Sequence, residues 1–249
     1  MIDGFPHQPE DSFFHHALTQ LRRETPQNIT SSMFTLGGFP ITRVPKHLPA
    51  KCLVFHPDIV VVQFAATDLV VPLRRKRHRD GTTSAAFHGR SVKPATLSAR
   101  LRWQVQGLVG DVMKLEPVTP VDNYLETMKG IIRTLLEHKI RTVVVSPFVF
   151  GGRRSDRNAR HCAGQLKAFV ATQPGAVFVD AYAALDREPR HRMLLADGGH
   201  LSLAGQQVVA EVLLPELRSI VLAKATEKSA ANMSAHGAER PVCQTASNY

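Results

Sequence analysis

Three short and continuously apolar segments constrain the fold of this chain more than any other feature. Asp58–Phe64 gives the strongest signal, and Arg141–Ser146 and Ala176–Asp180 have the same character. A short apolar run without polar alternation is typical of a parallel strand that is covered on both faces. We therefore expect these three segments to be neighbouring strands of one buried sheet.

Segments with apolar residues at helical spacing lie between and around these strands. The predicted helices are Glu10–Glu24, a short Thr42–Lys51 broken by Pro45 and Pro49, Val121–His138, Asp156–Thr172 and Leu203 to about Leu222. A further strand is predicted at Ile29–Leu36. The alternation predicts an α/β fold with a three-layer, doubly wound, flavodoxin-like and mostly parallel sheet.

The length of the chain favours a single domain. With 249 residues, of which 43% are hydrophobic, the chain can form one sizeable core but not two comfortable ones. We place this domain at residues 1–223. Residues 224–249 lose apolar periodicity, and we expect them to form a disordered tail.

An insertion separates the first apolar strand from the next helix, at residues 70–120. It opens with the basic run Arg74–Arg79, which we interpret as a solvated loop, with phosphate or anionic lipid binding as the alternative. Its second part, from Leu97 to Val112, has the spacing of an amphipathic helix. A lid over an acyl pocket is one possible role for this helix, but we expect it to pack against the sheet.

Composition limits the classes of partner. The net charge is +10, but the chain has one Trp and three Tyr, so it supplies few residues for base stacking. The three cysteines, Cys52, Cys162 and Cys243, show no CxxC pair, which argues against a disulfide framework or a zinc site. No apolar run approaches the ~20 residues of a membrane span, and residues 1–20 lack a signal-peptide pattern. These features predict a cytoplasmic protein, with a signal peptide upstream of Met1 as the open alternative.

One short motif carries the strongest functional signal. Asp197 precedes His200 by three positions in Asp-Gly-Gly-His-Leu, directly before the last helix. A carboxylate in a tight turn can orient an imidazole and stabilise its protonated form, as a base needs when it activates a hydroxyl nucleophile. The pair therefore points to a serine hydrolase.

Two upstream loops are expected to lie near this turn. In doubly wound sheets the chemistry collects at the carboxyl ends of the strands. The loops Gly37-Gly38, Ala65–Asp68 and Asp197–His200 would all lie there. We treat them as one candidate site.

The order of these loops resembles the SGNH or GDSL-type family of serine esterases and acylhydrolases. Asp197 and His200 match the DxxH block of that family, and Ala65–Asp68 is similar to its GxND block with Ala and Thr replacing Gly and Asn. Gly38 falls where the family has the glycine of its second block. The resemblance implies that His200 is the catalytic base, that Asp197 orients it, and that Gly38 and Thr67 hold the oxyanion.

The nucleophile of the family lies in a first block, a buried strand followed by Gly-x-Ser. Met1–Gly4 is similar to the residues that come directly after that serine in the family, so the resemblance places the serine immediately before Met1. We expect an upstream strand that ends in this serine, and the chain as given to be inactive without it. Ser146 is the internal alternative, but we interpret it as capping its strand.

The resemblance implies hydrolysis of a small acyl ester without a metal or organic cofactor. The ester and the oligomeric state stay open. A relative of the same fold that binds a ligand without catalysis is the first alternative. The second alternative is a binder of nucleic acid or of an anionic surface that uses Arg74–Arg79. Because the chain has few aromatic residues for base stacking, nucleic-acid binding is a minor hypothesis.

Overall fold

The computed structural model describes a core of the chain and parts of the insertion. The described residues are 8–34, 40–64, 68–71, 75–77, 83–85, 98, 101, 105, 108–109, 112–113, 115–148, 153–195 and 200–237. His200 is among them, whereas Gly38, Thr67 and Asp197 lie outside the described residues.

The described elements alternate between strands and helices. The strands are β1 (Ile59–Val62), β2 (Arg75–Arg77), β3 (Thr83–Ala85), β4 (Arg141–Val145) and β5 (Ala176–Val179). The helices are α1 (Phe13–Glu24), α2 (Val44–Lys51), α3 (Val121–Glu137), α4 (Arg153–Ala171), α5 (Ala181–Asp186), α6 (Arg190–Met193) and α7 (Leu203–Gly237). Three of the four long predicted helices begin and end within three residues of these bounds, and α7 continues well beyond its predicted end.

The main sheet is parallel, as predicted. Its order is β1-β4-β5, with Ile59 opposite Arg141 and Thr142 opposite Ala176. Each crossover contains a helix, α3 between β1 and β4 and α4 between β4 and β5. Right-handed crossovers that advance in one direction put both helices on the same face of the sheet.

A second helical layer covers the opposite face. Helix α1 packs along α7, and α7 also contacts β4 and β5. Val143, Val144 and Val145 on β4 are fully buried, although successive side chains point to opposite faces. Both faces of the central strand are therefore covered, which makes the fold the predicted three-layer α/β arrangement.

The strand β1 is less buried than its apolar sequence predicts. Ile59, Val60 and Val61 are half-buried, and only Val62 is buried. Among the described residues β1 pairs with β4 alone. The prediction of burial on both faces is wrong for these three side chains because β1 is at the edge of the described sheet.

The strand predicted at Ile29–Leu36 is not formed in its described part. Residues 29–34 have no regular secondary structure. A strand exists only where a neighbour completes its hydrogen-bond ladder. Among the described residues no strand pairs with this segment, so its ladder is not formed.

The basic run differs from the predicted loop. β2 and β3 form an antiparallel pair in which Arg75 lies opposite Ala85 and Arg77 lies opposite Thr83. The connection contains Asp80-Gly81, a dipeptide typical of hairpin turns. The polar residues of the run favour a loop in sequence, whereas the strand pairing depends on the neighbouring segment Thr83–Ala85.

The second part of the insertion is helical but is not packed as predicted. The described positions 98, 101, 105, 108, 109 and 112 have helical backbone, and Met113 N donates to Val109 O at 2.9 Å. Leu101 is 62% exposed and Val112 is 74% exposed. The expectation that this face packs against the sheet is wrong, because other helices already cover the central strand.

The predicted disordered tail is helical as far as Gly237. Lys224 pairs with Asp58, and Glu227 accepts a hydrogen bond from Arg141 at 3.0 Å. Alanine is frequent beyond Lys224 and has the highest helix propensity, so the helix continues once these ion pairs anchor it. Nowhere in the described part of the chain is a helix long and apolar enough to cross a membrane.

Candidate active site

A short two-stranded bridge holds the turn that ends in His200. Leu194 and Leu201 form an antiparallel bridge, and Leu195 N donates to the carbonyl of His200 at 2.9 Å. Ser202 N donates in the same way to Met193 O at 2.8 Å. The backbone on both sides of the turn is therefore fixed. The side chain of His200 is half-buried, so it is anchored and still accessible.

The first turn of α7 locks this bridge in place. Ser202 Oγ donates to Arg192 O and accepts from Gly205 N at 3.1 Å. A Cβ atom at Gly205 would lie 2.3 Å from Met193 O, so only glycine allows the helix to approach the segment ahead of the turn. His200 therefore precedes a helix start that admits no side chain at position 205.

The direction of α7 places His200 relative to the sheet. Near its far end, Lys224 and Glu227 pair with Asp58 and Arg141, at the amino ends of β1 and β4. Twenty-one residues separate Leu203 from Lys224, which corresponds to about 30 Å of helix, whereas a five-residue strand spans about 16 Å. The beginning of α7, and His200 just before it, therefore lie beyond the carboxyl ends of the strands.

The first turn of α1 reaches the same edge. Phe13 N donates to Gln206 Oε1 at 2.9 Å, and Glu24 at the other end of α1 pairs with Arg218. These two contacts make α1 and α7 parallel neighbours, so both helices begin at the carboxyl edge. Gln206 is fully buried, and its Nε2 has no hydrogen-bond partner among the described residues.

Asp68 joins the other two predicted loops of the site. It is 1% exposed, and its Oδ1 accepts from Ile41 N at 2.8 Å and from Thr119 Oγ1 at 2.7 Å. Ile41 follows Gly38 by three residues, and Asp68 follows Thr67 directly. The buried carboxylate thus joins the segment that follows Gly38 to the residue that follows Thr67 by a hydrogen bond.

Tyr124 fixes the other side of the loop that contains Thr67. Its hydroxyl donates to Phe64 O at 2.6 Å, and the ring is fully buried at the start of α3. Burial, and then the negative charge of Asp68, raise the pKa of this hydroxyl well above its usual range. The hydroxyl therefore stays a donor at any physiological pH, and residues 64 and 68 bracket Thr67 with fixed contacts.

Ser146 has a structural role. It is fully buried at the end of β4, where its Oγ accepts from Tyr182 N at 2.8 Å and its backbone N donates to Val179 O at 2.9 Å. These contacts join β4, β5 and α5. The interpretation of Ser146 as a cap, and not as the nucleophile, agrees with this geometry.

Three further polar side chains near the candidate site have structural or surface positions. Asp180 caps α5 by accepting from Ala183 N at 3.1 Å. Glu188 and His191 are exposed, and His191 lies on helix α6. Within the described residues no group of three His, Cys, Asp or Glu side chains has the arrangement of a metal site.

Asp68, Gly205 and Gln206 hold the candidate site together but carry little signal in the sequence. Asp68 is recognisable there only as the last residue of a loop, and its partners lie 27 and 51 residues away. Gly205 lies five residues after His200, and its role depends on Met193 O, which the fold brings to 2.3 Å from its Cβ position. All three residues act by holding the segments around the candidate site.

Comparison with known proteins bears on the fold. No protein-family profile and no curated protein sequence matches the chain. The acetylxylan esterase Axe2 from Geobacillus stearothermophilus matches with a TM-score of 0.52 and 15% identity, covering 82% of this chain and 80% of that one. A variant of Axe2 with the same coverage reaches a TM-score of 0.58 at 14% identity.

A second solved structure extends the likeness. A protein described as lipolytic and of the G-D-S-L family, from Desulfitobacterium hafniense, matches with a TM-score of 0.53 and 10% identity, covering 86% of this chain and 93% of that one. The chain therefore has the α/β fold of SGNH and GDSL-type hydrolases.

Proposed function

We propose that this protein hydrolyses a small acyl ester by serine chemistry, with His200 as general base and Asp197 as the residue that orients it. One observation carries the proposal. The two-stranded bridge that holds His200 lies at the carboxyl edge of an SGNH-type sheet, beside the first turn of α1. An imidazole at that edge suits a base that serves a nucleophile leading into α1.

The nucleophile of this mechanism is a serine that the sequence resemblance puts ahead of Met1. The direction of α1 supports this position, because the chain enters α1 from the same edge that carries His200. The serine Oγ attacks the ester carbonyl carbon while His200 accepts the hydroxyl proton. His200 then gives that proton to the departing alkoxide, which leaves as the alcohol, and an acyl-enzyme remains.

Water completes the reaction. His200 removes a proton from water, the resulting hydroxide attacks the acyl carbon, and the serine leaves as its alkoxide and regains the proton from His200. In this proposal the N–H of Gly38, the N–H of the serine and the hydroxyl of Thr67 stabilise the oxyanion. The contacts of Asp68 and Tyr124 support these roles, because they fix the segments next to Gly38 and Thr67. No cofactor takes part in these steps.

The substrate of the proposal is a class and not one compound. The name of Axe2 refers to acetylxylan, and the other matched protein is described as lipolytic. Acetylated sugars, lysophospholipids, thioesters and small aryl esters all contain the acyl carbonyl that this chemistry needs. A nitrophenyl acetate is a suitable general probe, because its leaving group makes few demands on a binding pocket.

The test is a comparison of two histidine variants in the product translated with the codons ahead of Met1. We expect His200→Ala to lower kcat/KM for 4-nitrophenyl acetate by about 10³-fold or more, because the serine loses its base. His191→Ala is the control, since His191 is exposed on the adjacent helix α6 and should leave the rate unchanged. A fluorophosphonate probe should label a serine ahead of Met1.

Three results would contradict the proposal. Full activity of His200→Ala would exclude His200 as the base. Labelling of a serine within residues 1–249 would exclude the upstream nucleophile. Upstream codons without a Gly-x-Ser pattern, together with no hydrolysis, would favour a ligand-binding protein of the same fold.

A further inference from the structure

The insertion presents an apolar surface that no described part of the protein covers. Leu101 is 62% exposed, Val105 52%, Leu108 60% and Val112 74%, and Met113 next to them is 63% exposed. Spacings of four, three and four residues put the first four side chains on one face of a helix. We call these five residues the insertion stripe.

The stripe is unusual within this molecule. Ten large hydrophobic side chains are exposed among the described residues, and five of them belong to the stripe. Single exposed apolar residues are ordinary, whereas a contiguous exposed group marks an interaction surface. The exposed apolar side chains of this molecule are therefore concentrated in the stripe, where binding to a partner would remove them from water.

The charge of the insertion indicates which partner this is. Residues 72–116 contain ten Lys and Arg but three Asp and Glu, so they carry +7 of the net charge of +10. A basic segment that also exposes an aliphatic helical face has the chemistry of a helix that lies in the interface of an anionic membrane. The charges attract lipid headgroups, and the aliphatic side chains enter the acyl boundary.

We propose that the insertion docks on an anionic lipid surface through the insertion stripe. A second copy of the chain is a poorer partner, because apposition of two stripes would bring together two segments that are each strongly positive. A nucleic acid would satisfy the charges but would leave the aliphatic side chains against polar groups. Of these three partners, an anionic lipid surface satisfies both features.

The root of the insertion lies beside the candidate site. Val118 N donates to Val70 O at 3.2 Å, and Thr119 N donates to Asp68 O at 3.0 Å, so the insertion leaves and rejoins the domain next to the loop that contains Thr67. Docking through the stripe does not require that the site be catalytic. The inference goes beyond the proposed esterase activity and is independent of it.

The experiment is co-sedimentation with vesicles of phosphatidylcholine that contain one third phosphatidylglycerol, with pure phosphatidylcholine vesicles alongside. We expect binding to the anionic vesicles, a loss of binding in high salt, and little binding to the neutral vesicles. The double variant Leu101→Gln/Leu108→Gln should bind the anionic vesicles at least about tenfold more weakly, because two aliphatic side chains no longer enter the lipid.

The matched control is Val54→Gln/Phe55→Gln. These side chains are 58% and 66% exposed but lie outside the insertion, so their loss should leave vesicle binding unchanged. Circular dichroism checks that each variant is folded, and Val112→Gln is the second stripe variant if the double variant is not.

Several outcomes would overturn the inference. These are no binding of the wild-type protein to anionic vesicles, equal binding by the stripe variants, or an equal loss in the control variant. Concentration-dependent dimerisation that the stripe variants abolish would assign the stripe to a second copy. Salt-sensitive binding to duplex DNA, together with no binding to vesicles, would assign the charges to nucleic acid.

Discussion

Gly205 has no space for a side chain. Its Cβ position lies 2.3 Å from Met193 O, a backbone atom that also accepts the hydrogen bond from Ser202 N. We expect Gly205→Ala to push the start of α7 away from the bridge before His200 and to lower the free energy of unfolding by about 1–3 kcal/mol. Urea denaturation followed by circular dichroism measures this loss.

Gly164 provides the matched control for this substitution. It lies in the middle of α4, is exposed, and has no atom within 4 Å of its Cβ position. Gly164→Ala should raise the free energy of unfolding by about 0.5–1 kcal/mol, because alanine loses less backbone entropy in a helix. If both variants changed stability in the same direction, the steric explanation for Gly205 would be wrong.

At the scale of single residues, spacing in the sequence can indicate candidate catalytic residues but not the residues that support them through contacts. Asp197 and His200 are recognisable as a candidate pair because the acid precedes the histidine by three positions in sequence. Asp68 is a different case, since its role depends on Ile41 and Thr119, which only the folded chain brings to its carboxylate. Spacing in sequence carries no information about such contacts.

Helix α1 begins at a buried serine that caps it. Ser12 is fully buried, and its Oγ accepts from His15 N at 3.1 Å. Ser12→Ala would leave that N–H without its partner, so we expect the free energy of unfolding to fall by about 1 kcal/mol. Thermal and urea unfolding of the variant measure the change.

Ser219 on α7 allows the same substitution without a cap. It is exposed in the interior of the helix. Ser219→Ala should leave stability unchanged or raise it by a few tenths of a kcal/mol, about the difference in helix propensity. A loss at Ser12 no larger than the effect at Ser219 would show that the cap contributes nothing.

At the scale of elements, the sequence predicted type well where apolar periodicity was long. The long helices and the strands β1, β4 and β5 occur where the apolar patterns place them. Burial was harder to predict, because it depends on neighbours: the apolar β1 is half-buried, and Leu101 and Leu108 are exposed on a correctly predicted helix. The strand predicted from Ile29 is not formed in its described part, because a strand also depends on a neighbouring strand that its own sequence does not reveal.

At the scale of the whole molecule, the candidate site depends on helix directions. The ion pairs of Lys224 and Glu227 orient α7 against the strands, and the contact of Phe13 with Gln206 aligns α1 with α7. The fold class could be predicted because alternation of strands and helices permits few topologies. The long-range pairs that place His200 at the carboxyl edge could not be predicted from the sequence, because each joins residues more than 80 positions apart.

The insertion should be removable without loss of the domain. Its two ends lie side by side, with Val118 N bonded to Val70 O at 3.2 Å, so a short turn can join them. We expect a chain in which Gly-Asn-Gly-Ser replaces residues 72–116 to fold with the circular dichroism of the remaining helices and to unfold cooperatively, because α3 and α7 pack on the central strand and α4 packs on β5. The same chain should lose binding to anionic vesicles. Failure to fold would mean that the insertion contributes to the core, and retained vesicle binding would place the lipid contact elsewhere on the molecule.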